Sequence, residues 1–214
     1  MNILACDTST EVMHLCLYCK EEGKMPFFEI LAARYQNRHS ELLVPRILEM
    51  CEHNGMQIKD LDLLVCTSGP GSFTGLRIAM STLKGISLAT GIPLVSIPTL
   101  EVYQHAIAPT EKVVLLAMDA KKNRFYISMY QQGEKITEDI DADMQQIESL
   151  LAPFPSIFIS GPDASLLAQR LPAETLAKSS IDSSLSANLS VVLAEMGYAQ
   201  FKNVGADNPG KGPT

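Results

Sequence analysis

The chain has 214 residues, 46% of them apolar and 19% charged, enough to bury a substantial core as one large or two small domains. A formal net charge of −7 argues against a self-sufficient nucleic-acid binder, and no apolar run approaches the length of a membrane span. Five cysteines, an odd number behind a start with no secretory pattern, predict reduced thiols in a cytoplasmic protein. In chain order, "NILACDT" reads as a buried strand and "VMHLCLYC" as a second one after the turn residues "STE". "FFEILAA" completes a three-strand meander. Cys16 and Cys19 have C-x-x-C spacing, but residues three apart on a strand face opposite ways, and no second Cys or His pair completes a zinc site. No metal site is expected.

A helix follows over residues 38–53, then a buried strand in "LDLLVCTS", a glycine-rich loop, a helix closed by Gly91 and a strand in "PLVSIP". Three antiparallel strands followed by alternating helix and strand predict a ribonuclease-H-like α/β arrangement. The second half restarts the plan. "VVLLAMDAKKNRFYISMY" repeats "NILACDTSTEVMHLCLY", with Asp119 in the position of Asp7, and "SIFISGPD" supplies a later strand ending in a Gly-Pro turn. Two subdomains are therefore expected, 1–108 and 109–214, joined near "AIAPTEK", where Pro109 breaks the helix.

The loop "SGPGSFTGLRIA" meets neither phosphate-binding template. Gly75 is followed by Leu76 and Arg77 rather than Lys-Ser or Lys-Thr, and Gly69, Gly71 and Gly75 miss the Rossmann spacing by one residue. Two readings stand: a tight corner that seats the next helix, or an anion site at a strand-to-helix turn. That helix has only Arg77 and Lys84 as charges between residues 76 and 89, so it is covered from more than one side. On the earlier helix, Leu43, Val44, Ile47, Leu48, Met50 and Cys51 span an arc of roughly 160°, wider than the ~100° that a helix needs to face its own core. Either the helix is deeply covered, or part of the arc meets another protein. Arg38, His39, Leu43, Ile47, Met50, Leu76, Arg77, Met80 and Lys84 are the candidate partner surface.

"MNILACDTST", "RHSELLVPRI", "SGPGSFTGLRIAMSTLKGISLATGIPLVSIPTLE" and "SGPDA" together resemble the TsaB (YeaZ) family of tRNA threonylcarbamoyladenosine biosynthesis. The resemblance runs in order across most of the chain. It implies two ribonuclease-H-like subdomains of the actin, sugar-kinase and Hsp70 (ASKHA) superfamily. It also implies a partner, TsaD, which transfers the threonylcarbamoyl group and carries an H-x-x-x-H metal-binding pair. Aligned through "GIPLVSIPTLE", those histidine positions fall on Thr99 and Tyr103, poor ligands for the metal. The resemblance thus implies a non-catalytic scaffold that pairs with TsaD, helps recruit TsaE, meets tRNA only through the complex, and forms a homodimer when alone.

The alternative is an independent ATP-using small-molecule kinase of the same superfamily. In nucleotide-using superfamily members an Asp at the end of the first strand faces the phosphates, which makes Asp7, Thr8 and Ser9, with Gly69 and Gly71, the nucleotide-binding candidates. No tightly bound cofactor is expected; ATP or ADP would lie at a subunit junction. No nucleophile motif supports proteolysis. The resemblance implies a P-x-Y-[LI]-R element near the C-terminus, and this sequence stops at "GKGPT", where such a stretch would begin.

Overall fold

Every residue from Ile3 to Asp7 is buried, as in a strand covered on both faces, and this strand organises the first of two sheets. The computed structural model describes residues 1–21, 23–35, 38–182, 184 and 188–207. In the first sheet β1 (Asn2–Asp7) pairs antiparallel with β2 (Val12–Cys19), which pairs antiparallel with β3 (Phe27–Arg34). On the other side of β1 lie the parallel strands β4 (Leu63–Thr67) and β5 (Leu94–Ile97), giving the order β3-β2-β1-β4-β5. Helix α1 (His39–His53) links β3 to β4 through a 3-10 turn, and α2 (Phe73–Thr90) links β4 to β5. Leu4, Cys6, Leu15 and Leu17 from the strands pack with Leu43, Ile47, Ala79 and Leu83 from these helices in one core.

Local chemistry sets the ends of α2. The Ser72 hydroxyl accepts from the Gly75 N–H at 3.2 Å, and Gly91 closes the helix with a left-handed backbone. Asp7, at the end of β1, sits opposite His14 of β2. Cys16 and Cys19 divide between the two faces: Cys19 packs beside the α1–α2 core, while Cys16 lies on the face toward Glu195.

The short helix α3 (Thr99–His105) leads into the second half. There β6 (Val113–Lys121) pairs antiparallel with β7 (Arg124–Gln131), which pairs with β8 (Glu134–Lys135) and β9 (Ile140–Asp143). On the far side of β6 run the parallel strands β10 (Ile157–Ser160) and β11 (Ser179–Ile181). Helix α4 (Met144–Leu151) precedes β10, and α5 (Ala164–Ala168) and α6 (Ala173–Ala177) precede β11. The sheet order β11-β10-β6-β7-β8 is the first sheet's order again, hairpin to one side and parallel strands to the other.

The domain boundary differs from the expected 1–108 and 109–214. The chain divides after Val102, and the last helix, α7 (Leu189–Asn203), belongs to the first unit. Packing explains why. Helix α7 lies across β1, β2, β4 and β5, with Gly197 directly on Val65, where a Cβ at position 197 would collide with the valine side chain. The Ser190 hydroxyl donates to the Leu15 carbonyl at 3.3 Å, and Tyr18 donates to Glu195 at 3.2 Å. Beyond the helix, Asp207 accepts from both the N–H and the hydroxyl of Ser96 on β5, at 2.7 and 2.5 Å. The closing "GKGPT" stretch lies outside the described residues.

Candidate functional site

The turn after β1 and the glycine loop after β4 interlock. Asp7 is wholly buried, and its Oδ1 accepts from the Thr67 hydroxyl at 2.7 Å and the Ser9 N–H at 2.8 Å. The Thr8 hydroxyl donates to the Gly75 carbonyl at 2.7 Å, and the Ser72 N–H donates to the Ser9 carbonyl at 2.7 Å. Gly75 sits so close to the Thr8 carbonyl oxygen that a Cβ at 75 would overlap it. No larger residue fits there. The corner is tied from behind as well: Thr99 donates its N–H to the Gly69 carbonyl at 2.7 Å and accepts from the Gly69 N–H on its hydroxyl at 3.1 Å.

This geometry answers the question the loop posed. The glycines bring α2 against the end of β1, and Asp7, Thr8 and Ser9 are enclosed beneath them. Of these nucleotide-binding candidates, Asp7 Oδ2 and the Ser9 hydroxyl are left buried without a hydrogen-bond partner among the described residues. Gly69 and Gly71 remain half-buried at the loop. Thr99, at the position where the resemblance puts a metal-binding histidine, serves the corner instead, and Tyr103 one turn on is buried. Among the described residues no group of three or more His, Cys, Asp or Glu side chains is arranged to hold a metal. Burial pushes the thiols at the sheet centre up, Cys66 to about 12 and Cys6 well above its ordinary range, which favours the protonated form.

The candidate partner surface needs a correction. Leu43, Ile47 and Met50 point inward and are core residues of the first unit, and His39 is buried too. Met80 packs at the edge of the same core, and the Leu76 methyl lies 3.2 Å from where a Cβ at Gly69 would stand. Arg38 and Arg77 are exposed and Lys84 is half-buried. On these two helices the large apolar side chains that face solvent are others, Val44 and Leu48 on α1 and Phe73 and Leu88 on α2, between 42% and 74% exposed; Met25, Phe27 and Val204 are among those exposed elsewhere. Val44 and Leu48 are one turn apart, and Phe73, Arg77, Lys84 and Leu88 share one stripe of α2. The Arg77 guanidinium lies 3.8 Å from the centre of the Phe73 ring. Helices α1 and α2 touch each other.

The sequence held a signal for this. An apolar arc wider than a helix's own core requires has two sides, and here the core takes the side of Met50, Leu43 and Ile47 and leaves that of Val44 and Leu48 to solvent. The second unit repeats the corner with other details. Ser160-Gly161-Pro162 follows β10 as Ser68-Gly69-Pro70 follows β4. Gly161 has φ +103°, and a Cβ there would stand 2.6 Å from the Ala117 carbonyl. Asp163 accepts from the Asp119 N–H at 2.8 Å, and Lys121 pairs with the Asp119 carboxylate at 2.8 Å. A cavity of about 480 Å³ in this unit, lined by Gln104, Ile107, Pro109, Glu111, Val114 and Gln132 among others, involves none of the candidate residues.

Two sheets of one strand order, each ending its central strand in an acidic turn beside a Ser-Gly-Pro corner, define an α/β protein of the ribonuclease-H-like, actin-like ATPase class. The model of one family, described as TsaD: tRNA N6-adenosine threonylcarbamoyltransferase, matches residues 31–206, and the chain belongs to that family. Within it the similarity reaches proteins named TsaB. That of Haemophilus influenzae, a tRNA threonylcarbamoyladenosine biosynthesis protein, is 30% identical over 65% of this chain and 57% of its own length. The chain thus spans a little over half the length of the first curated relatives it matches. Among solved structures, YeaZ from Pseudomonas aeruginosa superposes with a TM-score of 0.68 at 25% identity, covering 94% of this chain and 93% of that one. An uncharacterized Pseudomonas aeruginosa protein with similarity to peptidase YeaZ superposes with a TM-score of 0.76 at 24% identity, covering 100% and 98%, a likeness of fold.

Proposed function

We propose that this chain is a non-catalytic scaffold subunit in tRNA threonylcarbamoyladenosine biosynthesis. It pairs with TsaD, orders the transferase and helps recruit TsaE, so that a threonylcarbamoyl group is moved to the adenosine next to the anticodon. The observation that carries the reading is the set of exposed large apolar side chains on two touching helices, Val44 and Leu48 with Phe73 and Leu88. Scattered apolar residues on a surface are ordinary, but four large ones on adjoining helices favour burial against another protein. Arg38, Arg77 and Lys84 supply the polar rim. Without TsaD the same surface pairs two copies into a homodimer.

One feature favours scaffolding over catalysis. Thr99 and Tyr103 stand where the resemblance puts the transferase's histidine pair, and Thr99 is spent on the glycine corner. The competing reading, an independent ATP-using kinase, would use Asp7, whose Oδ1 is taken by Thr67 and Ser9. ATP or ADP is assigned to a junction with the partners, tRNA to the partners themselves, and the assembly to the cytoplasm. No helix among the described residues is long and apolar enough to cross a membrane. The test is reconstitution: the isolated chain should neither hydrolyse ATP nor modify tRNA, and adding it to TsaD and TsaE should restore modification. Magnesium-dependent turnover by the chain alone that Asp7→Ala abolishes would establish the kinase instead.

A further inference from the structure

The outer strand of a sheet offers a row of unpaired N–H and C=O groups to any extended chain, so folds protect their edges. Among the described strands the two sheets have four edges, and three are protected. Beside β5, the Asp207 N–H donates to the Leu94 carbonyl at 2.9 Å, and the Asp207 carboxylate takes the Ser96 N–H at 2.7 Å. In the second sheet β11 has three residues, and the opposite edge is split between β8, two charged residues, and β9, with Asp141 and Asp143. The fourth edge, β3, has none of these devices. It pairs with β2 over eight residues in an unbroken register, and its sequence, FFEILAAR, holds no Lys, Gly or Pro. Among the described residues its backbone bonds to β2 alone. At this end of the edge Met25, Phe27 and Phe28 are 91%, 57% and 44% exposed.

We propose that β3 is a pairing edge for a second copy of this chain, the two strands running antiparallel about a two-fold axis at Leu31. The strand is complementary to itself in that arrangement. A two-fold axis normal to the sheet keeps each face on its own side, so a residue stands opposite one of its own parity. Odd positions face α1: Leu31 packs on that core, and Asn54, the C-cap residue of α1, donates to the Glu29 carboxylate. Even positions share the face of Tyr18, which meets Glu195 of α7.

Two registers of the right parity keep nearly the whole strand paired. Centred on Ile30, the pairing sets the two Glu29 carboxylates on a diagonal and Arg34 against Pro26. Centred on Leu31, it sets Phe28 opposite Arg34 of the second copy, Ile30 opposite Ala32 and Glu29 opposite Ala33, with Phe27 reaching Tyr35. Each of these is a match: a cation beside a ring, large side chains beside small ones, an aromatic beside an aromatic. Arg34 already pairs with Glu11 at 3.0 Å, but both side chains are exposed and that contact holds the guanidinium only weakly. One short segment thus supplies the rings, the cation and the small residues they need, which favours a second copy over an unrelated extended chain. Val44, Leu48, Phe73 and Leu88 lie on the helices, so the inference stands whether or not that surface takes a partner.

The test uses the isolated full chain carrying Leu48→Glu, which removes pairing through the helices. Sedimentation over a concentration series should still show dimers, and alternate β3 amides should gain protection from exchange as concentration rises. Phe28→Lys sets a cation against Arg34 on both sides of the axis and should weaken the dimer by about tenfold or more. Adding Arg34→Glu should restore most of that loss, which a fold defect would not allow. A Leu48→Glu chain that stays monomeric at every concentration, or dimers indifferent to Phe28→Lys, would overturn the proposal. So would β3 protection that appears only when TsaD is added, because the occupant would then be a segment of that protein. Should Phe28→Lys not fold, the concentration dependence of β3 protection still decides.

Discussion

The two units build the same corner for different ends. Each carries an aspartate at or near the end of its central strand, Asp7 or Asp119, and sets a Ser-Gly-Pro turn beside it. In the first unit the turn leads into an 18-residue helix pressed onto β1, and Asp7 is sealed. In the second unit the turn leads into five residues of helix, and Asp119 keeps 18% of its side chain exposed in a pair with Lys121. A repeated scaffold thus carries a rigid seat for a long helix in one copy and a lighter turn in the other. The long helix is the one that bears exposed apolar residues.

Substitutions at the corners put the largest strain on this comparison. Gly75→Ala drives a Cβ into the Thr8 carbonyl, and we expect a loss of more than about 3 kcal/mol, seen as failure to fold or a collapse of the melting temperature. Gly161→Ala meets both a left-handed backbone and the Ala117 carbonyl, and should cost about 2–3 kcal/mol in the second unit. If Gly75→Ala melts like the parent, the seat is not tight and the contrast between units fails.

Core truncation comes next. Leu43→Ala and Leu151→Ala each remove a buried side chain from one unit's core, and each should cost about 2–5 kcal/mol by denaturant unfolding. Equal costs would show two cores of comparable packing. A negligible cost at Leu43 would return that residue to the surface. Smaller effects attend the helix caps: Ser72→Ala on α2 and Asp143→Ala on α4 should each lose about 1 kcal/mol. Asp143 should lose the more, because Gln146 reciprocates its bond. The smallest stability change should come from Leu48→Glu, within about 0.5 kcal/mol, since the side chain is already half in water.

Much of the architecture could be read from the residues. The hairpin followed by alternating strand and helix, the restart at "VVLLAMD" and the helix closed by Gly91 all follow from local periodicity and turn chemistry, and all are present. The return of α7 to the first unit was not readable, because a helix's period says which face is buried but not against what. Its destination depends on fits such as Gly197 on Val65. The partner surface was half readable. An arc of roughly 160° announced two demands on α1, but Met50, Leu43 and Ile47 on one side of it serve the core, and Val44 and Leu48 on the other side face outward. The enclosure of Asp7 depends on Thr67 and Ser72, which no local pattern ties to it.

Sedimentation of the chain mixed with TsaD, wild type beside Leu48→Glu, tests the scaffold claim most directly. A stable heterodimer with the wild type, lost in the folded Leu48→Glu variant together with restored tRNA modification, is the expected result. A variant that pairs and restores modification as well as the parent would contradict the assignment of this surface. A wild type that ignores TsaD altogether would contradict the scaffold itself.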